Sequence, residues 1–263
     1  MVKREALEKP AQGPFVKFLG TAGARFVMIK QLRASGGIWV YDGKANILID
    51  PGPGSIVRCA ASRPRLDPSR LDAIILTHRH LDHAGDINVM IEAMTEGGFK
   101  KRGAVFCPSD AVGEDTVILN YARNFPERIE VIGAKRSYEA GGFTFQTSMP
   151  HVHPVETYGL KFTLNKTTIS LVADTRYFPE LSEFYRTDVL IVPVVFPEPR
   201  AGIDHLSVPE AAELIKRCAP RKAVLTHFGM TMLKAKPLLV AERLSKELQT
   251  EVVAAYDGMK LVF

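Results

Sequence analysis

The chain has 263 residues, 46% of them apolar and 24% charged, with a formal net charge of +5. That composition suits a folded globular protein with a sizeable core, and three widely spaced cysteines without a Cys-x-x-Cys pair exclude a disulfide framework or zinc knuckle. No apolar run approaches the roughly 18–20 residues that span a bilayer, and residues 1–9 are charged rather than secretory in character, so a cytoplasmic protein with no membrane partner is expected.

Residues 15–19, 37–41, 46–49 and 73–76 read as strands separated by Gly-rich turns, with Asp42-Gly43 as a hairpin turn. The stretch 24–35, carrying Arg25, Lys30 and Arg33, reads as a loop, either solvated or placed to lid a pocket. Ile87, Met90, Ile91 and Met94 recur at helical spacing within 86–95. Further strands follow at 104–107, 130–132, 143–147, 159–164 and 168–172. The last third alternates strand (189–195), helix (209–218), strand (222–226) and helix (238–248), then ends in strands at 252–255 and 260–263. Trp39 and the cysteines Cys59, Cys107 and Cys218 sit among apolar or small neighbours and are expected in the core. With no linker-like shift or internal repeat, one layered α/β domain over 1–263 is expected.

All seven histidines fall in four short segments: Thr77-His78-Arg79-His80-Leu81-Asp82-His83, His151-Val152-His153, Asp204-His205-Leu206-Ser207 and Thr226-His227-Phe228. A lone histidine is more often structural than ligating. Four ligating side chains within residues 78–83, however, cannot be buried unpaired. Side chains alternate in extended backbone, so His78 and His80 share a side and are suited to one cation. Asp82 and His83 follow as the chain turns toward the helix, offset toward a second cation. Asp174 at a strand end can bridge the two, and His153 and His227 complete the half-shells. Imidazole and carboxylate donors point to two zinc ions, with manganese or iron as alternatives.

His78-x-His80-x-Asp82-His83 resembles the signature of the metallo-β-lactamase fold superfamily, whose fold is a four-layer αββα sandwich. Phe18-Leu19-Gly20-Thr21-Ala22-Gly23 resembles the amino-terminal strand and turn of its phosphodiesterase branch, and Ala173-Asp174-Thr175-Arg176 its bridging-aspartate motif. His205-Leu206-Ser207, 22 positions before His227, resembles the catalytic-histidine motif shared by tRNA 3′-end processing ribonucleases (tRNase Z) and phosphoribosyl cyclic phosphodiesterases. The resemblance implies His78, His80 and His153 around one metal, Asp82, His83 and His227 around the other, and Asp174 between them. His153 is preferred to His151 because Gly159, six positions on, matches the family's glycine at the next strand. His151 is left as a neighbour of the site.

The mechanism so implied is hydrolysis by a metal-bridging hydroxide oriented by Asp82, with His205 donating a proton to the leaving oxygen. Ser207, Thr175 and Arg176 are candidates for substrate phosphate contacts, with helix capping before Pro209, loop hydrogen bonding and a structural ion pair near Asp174 as their respective alternatives, the ion pair being preferred for Arg176. Only 21 residues separate His153 from Asp174, so the long tRNA-binding arm of the processing ribonucleases is missing. A small cyclic phosphodiester or a short nucleic acid therefore fits better than tRNA. Carboxylic ester, thioester or lactone hydrolysis is the alternative enzyme reading, and a non-catalytic metal-binding scaffold the alternative from another class. The di-iron redox branch resembles His-x-Glu where this chain has His80. A homodimer would be in keeping with the family.

Overall fold

The computed structural model describes residues 13–263, so the charged stretch 1–9 lies outside them. Two seven-stranded mixed sheets face each other. The first holds β1 (Phe15–Phe18), β2 (Ile38–Tyr41), β3 (Asn46–Ile49), β4 (Ala73–Ile75), β5 (Ala104–Cys107) and β6 (Arg128–Val131). The second holds β7 (Ser137–Ala140), β8 (Phe143–Pro150), β9 (Tyr158–Leu164), β10 (Thr167–Leu171), β11 (Val189–Pro193), β12 (Lys222–Thr226) and β13 (Glu251–Ala254). The last strand, β14 (Lys260–Val262), returns to the first sheet and pairs antiparallel with β1. In both sheets a run of antiparallel pairs gives way to parallel ones, from β3 to β6 and from β10 to β13.

The strand pattern explains the layering. Side chains alternate across a strand, so in β3 Ile47 and Ile49 enter the core between the sheets while Leu48 points outward. Ile191 in β11 likewise faces inward, and Leu190 and Val192 face out. The outer faces need covers. On the first sheet these include α2 (Ser55–Ala61) and α4 (Ile87–Met94), whose Ile87, Met90, Ile91 and Met94 join Trp39, Leu48 and Ile74. On the second they are α5 (Leu181–Phe184), α6 (Val208–Cys218) and α8 (Pro237–Leu248), with Ala211, Leu214, Ile215 and Leu244 against Leu190, Val192 and Leu225. Three apolar layers between four layers of secondary structure make the αββα sandwich. Trp39 and the three cysteines are buried, and the cysteines are unpaired.

Three shorter helices, α1 (Ala24–Ile29), α3 (Leu81–Ala84) and α7 (Met230–Lys234), lie at the strand ends. The first corrects the expectation of a loop over 24–35. Among its described side chains Val27 is the one buried apolar anchor, and no side chain caps its start, so helical periodicity is invisible in so short a segment. Strand β7 was also unexpected. It buries Tyr138 and Ala140 and exposes Ser137 and Glu139, a half-buried edge too polar to stand out.

Candidate metal centre

The histidine segments meet at the carboxyl ends of parallel strands, where open α/β sheets place their ligands. After β4 ends at Ile75 the chain bends at Thr77 and leads into His78. The Thr77 backbone N–H and hydroxyl donate to the two Asp50 carboxylate oxygens, each at 2.7 Å. His78 and His80 emerge on the same side with ring centroids 5.0 Å apart. Arg79 points the other way, onto Asp110 at 3.1 Å and Asp115 at 2.8 Å. His80 occupies the N-cap of α3, so Asp82 and His83 lie in the turn that follows. Asp174 follows β10 and His227 follows β12.

The ligand atoms of His78, His80 and His153 lie within 4.8 Å of one another, as do those of Asp82, His83 and His227. A third set, His78, His83 and Asp174, links them. His153 Nε2 is 3.0 Å from His80 Nδ1, and His83 Nε2 is 2.9 Å from His227 Nε2. Two nitrogens bound tetrahedrally to one zinc at about 2.0–2.1 Å would stand about 3.3 Å apart, close to these separations. Asp174 Oδ2 lies 3.7 Å from His78 Nε2, 3.5 Å from His83 Nε2 and 3.5 Å from His205 Nδ1.

Electrostatics in this cluster favour a cation. Burial drives the His78 imidazole well below its ordinary pKa, and burial lowers His153 to about 4. Burial opposes ionisation of Asp174, but the surrounding imidazoles of His227, His205 and His83 outweigh it and hold the carboxyl well below its usual range. His83 is likewise opposed by burial yet pushed well up, because Asp82 and Asp174 face it. The buried Asp174 carboxylate and the half-buried Asp82 carboxylate beside it therefore demand positive charge. His78 Nε2, Asp174 Oδ1 and His227 Nδ1 are buried without a hydrogen-bond partner among the described residues, a costly state unless another group engages their lone pairs. A divalent cation meets both requirements, and the donor set fits one.

Backbone geometry serves the same cluster. Asp50 and His227, both at strand ends, have left-handed φ values of 52° and 57°. Such non-glycine conformations persist only where their surroundings enforce them. Gly23 permits the His227 turn, since a Cβ there would lie 2.1 Å from the His227 carbonyl oxygen. Sequence reading missed Asp50. Its Oδ2 is 3.0 Å from His83 Nδ1, which fixes the ring so that Nε2 faces the cluster. The only available signal was an aspartate at a strand end, and its partner is 33 residues away.

The two histidines of the third segment diverge. His153 turns into the cluster, with Nδ1 3.1 Å from the Asp204 carbonyl oxygen. His151 turns away, to the Tyr185 hydroxyl at 2.6 Å and the Asp174 carbonyl oxygen at 3.2 Å. The substrate contacts expected of Ser207 and Thr175 need correction. The Ser207 backbone N–H and hydroxyl both donate to Glu210 Oε2 in a capping box that starts α6. The Thr175 hydroxyl accepts from the Val152 N–H and donates to the Arg176 carbonyl. Both residues are fully buried, so neither hydroxyl is free to meet a substrate. Arg176 is exposed and pairs with Asp204 at 3.3 Å, tethering the loop that carries His205.

Above the cluster a cleft of about 440 Å³ is lined by Arg25, Met28, Ile29, His80, Leu81, Asp82, Asp174 and His205. The segment expected as a lid thus forms its wall through α1. His205 stands at the edge of this cleft, its lowered pKa caused by burial.

The chain matches the family described as beta-lactamase superfamily domain over residues 45–228. It is 31% identical over 254 residues to an uncharacterized protein of Methanocaldococcus jannaschii, covering 93% of each chain. The crystal structure of the metallo-beta-lactamase fold protein YhfI from Bacillus subtilis superposes with a TM-score of 0.78 at 23% identity, over 94% of this chain and 99% of that one. A diphosphatase from the PhnP family superposes at 0.71 with 20% identity, over 95% and 97%. The chain belongs to the beta-lactamase superfamily domain family and has the metallo-β-lactamase fold.

Proposed function

We propose that the protein is a dinuclear metal-dependent hydrolase acting on a small cyclic or short nucleotide-type phosphodiester. The observation that carries this reading is the pair of three-residue clusters joined through Asp174, with His205 beside them at the cleft. His78, His80 and His153 would hold one ion and Asp82, His83 and His227 the other, with Asp174 between the two groups. When bound there, a pair of zinc ions supplies Lewis acidity toward a phosphoryl oxygen and toward a water molecule.

The protein's own groups do the rest. Asp82, held ionised because His83 and His227 outweigh the effect of its burial, accepts a hydrogen bond from the attacking water and orients it. His205 donates a proton to the departing oxygen. Arg25 at the cleft wall supplies positive charge for an anionic substrate. Between His153 and Asp174 the chain holds only β9 and β10 as regular elements, so it has no arm with which to grip a tRNA. That favours a small substrate.

Turnover of bis(p-nitrophenyl) phosphate, p-nitrophenyl acetate and a lactone by the metal-loaded protein tests the reading. Diester hydrolysis well above the other two is expected. Lactone or acetate turnover without diester turnover would assign the alternative ester-hydrolase reading instead. Inertness toward all three with both metal positions filled would leave a binding scaffold.

A further inference from the structure

A second cleft, of about 460 Å³, opens on the far side of His205 and is not used by the mechanism above. Arg25 and His205 line both clefts, so the two adjoin at the proton donor. Its walls are largely apolar and partly aromatic: Phe26, Phe196, Ile203 and Met230, with Arg200 alongside. Phe26 lines this cleft and is 61% exposed, so its ring is open to a ligand. Phe196 is held firmly. It bridges Ser207 in parallel fashion, and its carbonyl accepts from the Val208 N–H at 2.9 Å. Its ring centroid is 6.4 Å from that of His205, with the planes 68° apart, and the Arg200 guanidinium lies 4.4 Å from its centre.

Such a wall has a chemical preference. Aromatic rings and a guanidinium plane both stack on flat π systems, and neither gains as much from a puckered aliphatic group. The volume lies within the range of ordinary small-ligand sites. We propose that this second cleft seats a planar aromatic group carried on the departing side of the substrate, making the substrate class an aryl- or nucleobase-bearing phosphoester. The inference rests on the phosphodiesterase reading, because His205 as proton donor is what places the departing group on this side.

Binding of phenyl-, cyclohexyl- and methylphosphonate to the metal-loaded protein, followed by calorimetry, tests the proposal without turnover. All three present the same anion and differ only in the substituent. Phenylphosphonate should bind roughly tenfold tighter than methylphosphonate, and tighter than cyclohexylphosphonate. Phe196→Ala should erase the phenyl advantage while leaving methylphosphonate affinity in place. Phe26→Ala and Arg200→Ala, both at exposed positions, should reduce that advantage even if the Phe196 variant folds poorly. Equal affinity for phenyl and methyl, or for phenyl and cyclohexyl, would overturn the proposal, as would an unchanged ratio in the exposed variants. Diester turnover accompanied by any of these results would sink the aromatic subsite alone. Absence of both phosphonate binding and diester turnover would remove the phosphodiesterase reading with it.

Discussion

His151 Nε2 lies 2.6 Å from the Tyr185 hydroxyl, and its Nδ1 lies 3.2 Å from the carbonyl oxygen of Asp174. Burial lowers the His151 pKa to about 4, so the ring is neutral near pH 7. One arrangement satisfies every atom: Tyr185 donates to Nε2, and Nδ1–H donates to the Asp174 carbonyl. The pair therefore clamps the backbone that presents the Asp174 carboxylate. Gly159 makes room for it, since a Cβ there would fall 1.7 Å from the Tyr185 hydroxyl oxygen.

Removing the hydroxyl should be felt as stability. Tyr185→Phe strands the His151 ring nitrogen in the interior and should cost about 1–3 kcal/mol in urea unfolding. Gly159→Ala should cost more, and less in a Tyr185→Phe background than in the native one, because the two changes share one clash. Strict additivity in that double-mutant cycle would show that Gly159 serves something other than the clamp.

Asp50 should act through His83. Asp50→Asn removes the carboxylate that orients Nδ1, so affinity for the ion between Asp82, His83 and His227 should fall about 10–100-fold. Chelator competition would read this directly, and the ion between His78, His80 and His153 should be affected less. Equal weakening of both ions would mean that Asp50 holds the fold rather than the ring.

His205 and Asp82 should separate cleanly. His205→Ala should keep metal content while turnover drops by about 10²–10⁴-fold. Asp82→Ala should lose turnover together with one ion. Equal metal loss in the two variants would make His205 a ligand.

Acid should loosen the loop behind His153. Burial opposes ionisation of Glu156, but hydrogen bonds from the Ser109 and Tyr158 hydroxyls and from the Ser109 backbone outweigh it and hold its pKa below the usual value. A carboxylate with a depressed folded pKa stabilises the fold fully above its unfolded pKa, about 4.3 for glutamate, and loses that contribution as pH falls through the folded value. The melting-temperature gap between the native protein and Glu156→Gln should therefore be greatest above that range and shrink on acidification. A gap that widens in acid would contradict this assignment.

Much of the architecture was legible because buried strands here are short, largely apolar runs between turn residues, as at Asn46–Ile49 and Lys222–Thr226. The cluster was legible for a local reason too, since His78, His80, Asp82 and His83 share one turn of chain. What stayed hidden depended on distant partners. Asp50 matters only because the fold brings it beside Thr77 and His83, and His151 only because Tyr185 stands opposite. For Ser207 the sequence left substrate contact and helix capping both open, and the hydroxyl engages Glu210 in the cap. The wall built by α1 was unreadable, because six residues are too few to show a helical period.

Elemental analysis of the carefully reconstituted protein bears most directly on the central claim. Two divalent ions per chain are expected from the paired clusters, falling toward one in Asp82→Ala. A chain that retains its fold yet binds no ion under those conditions would contradict the account.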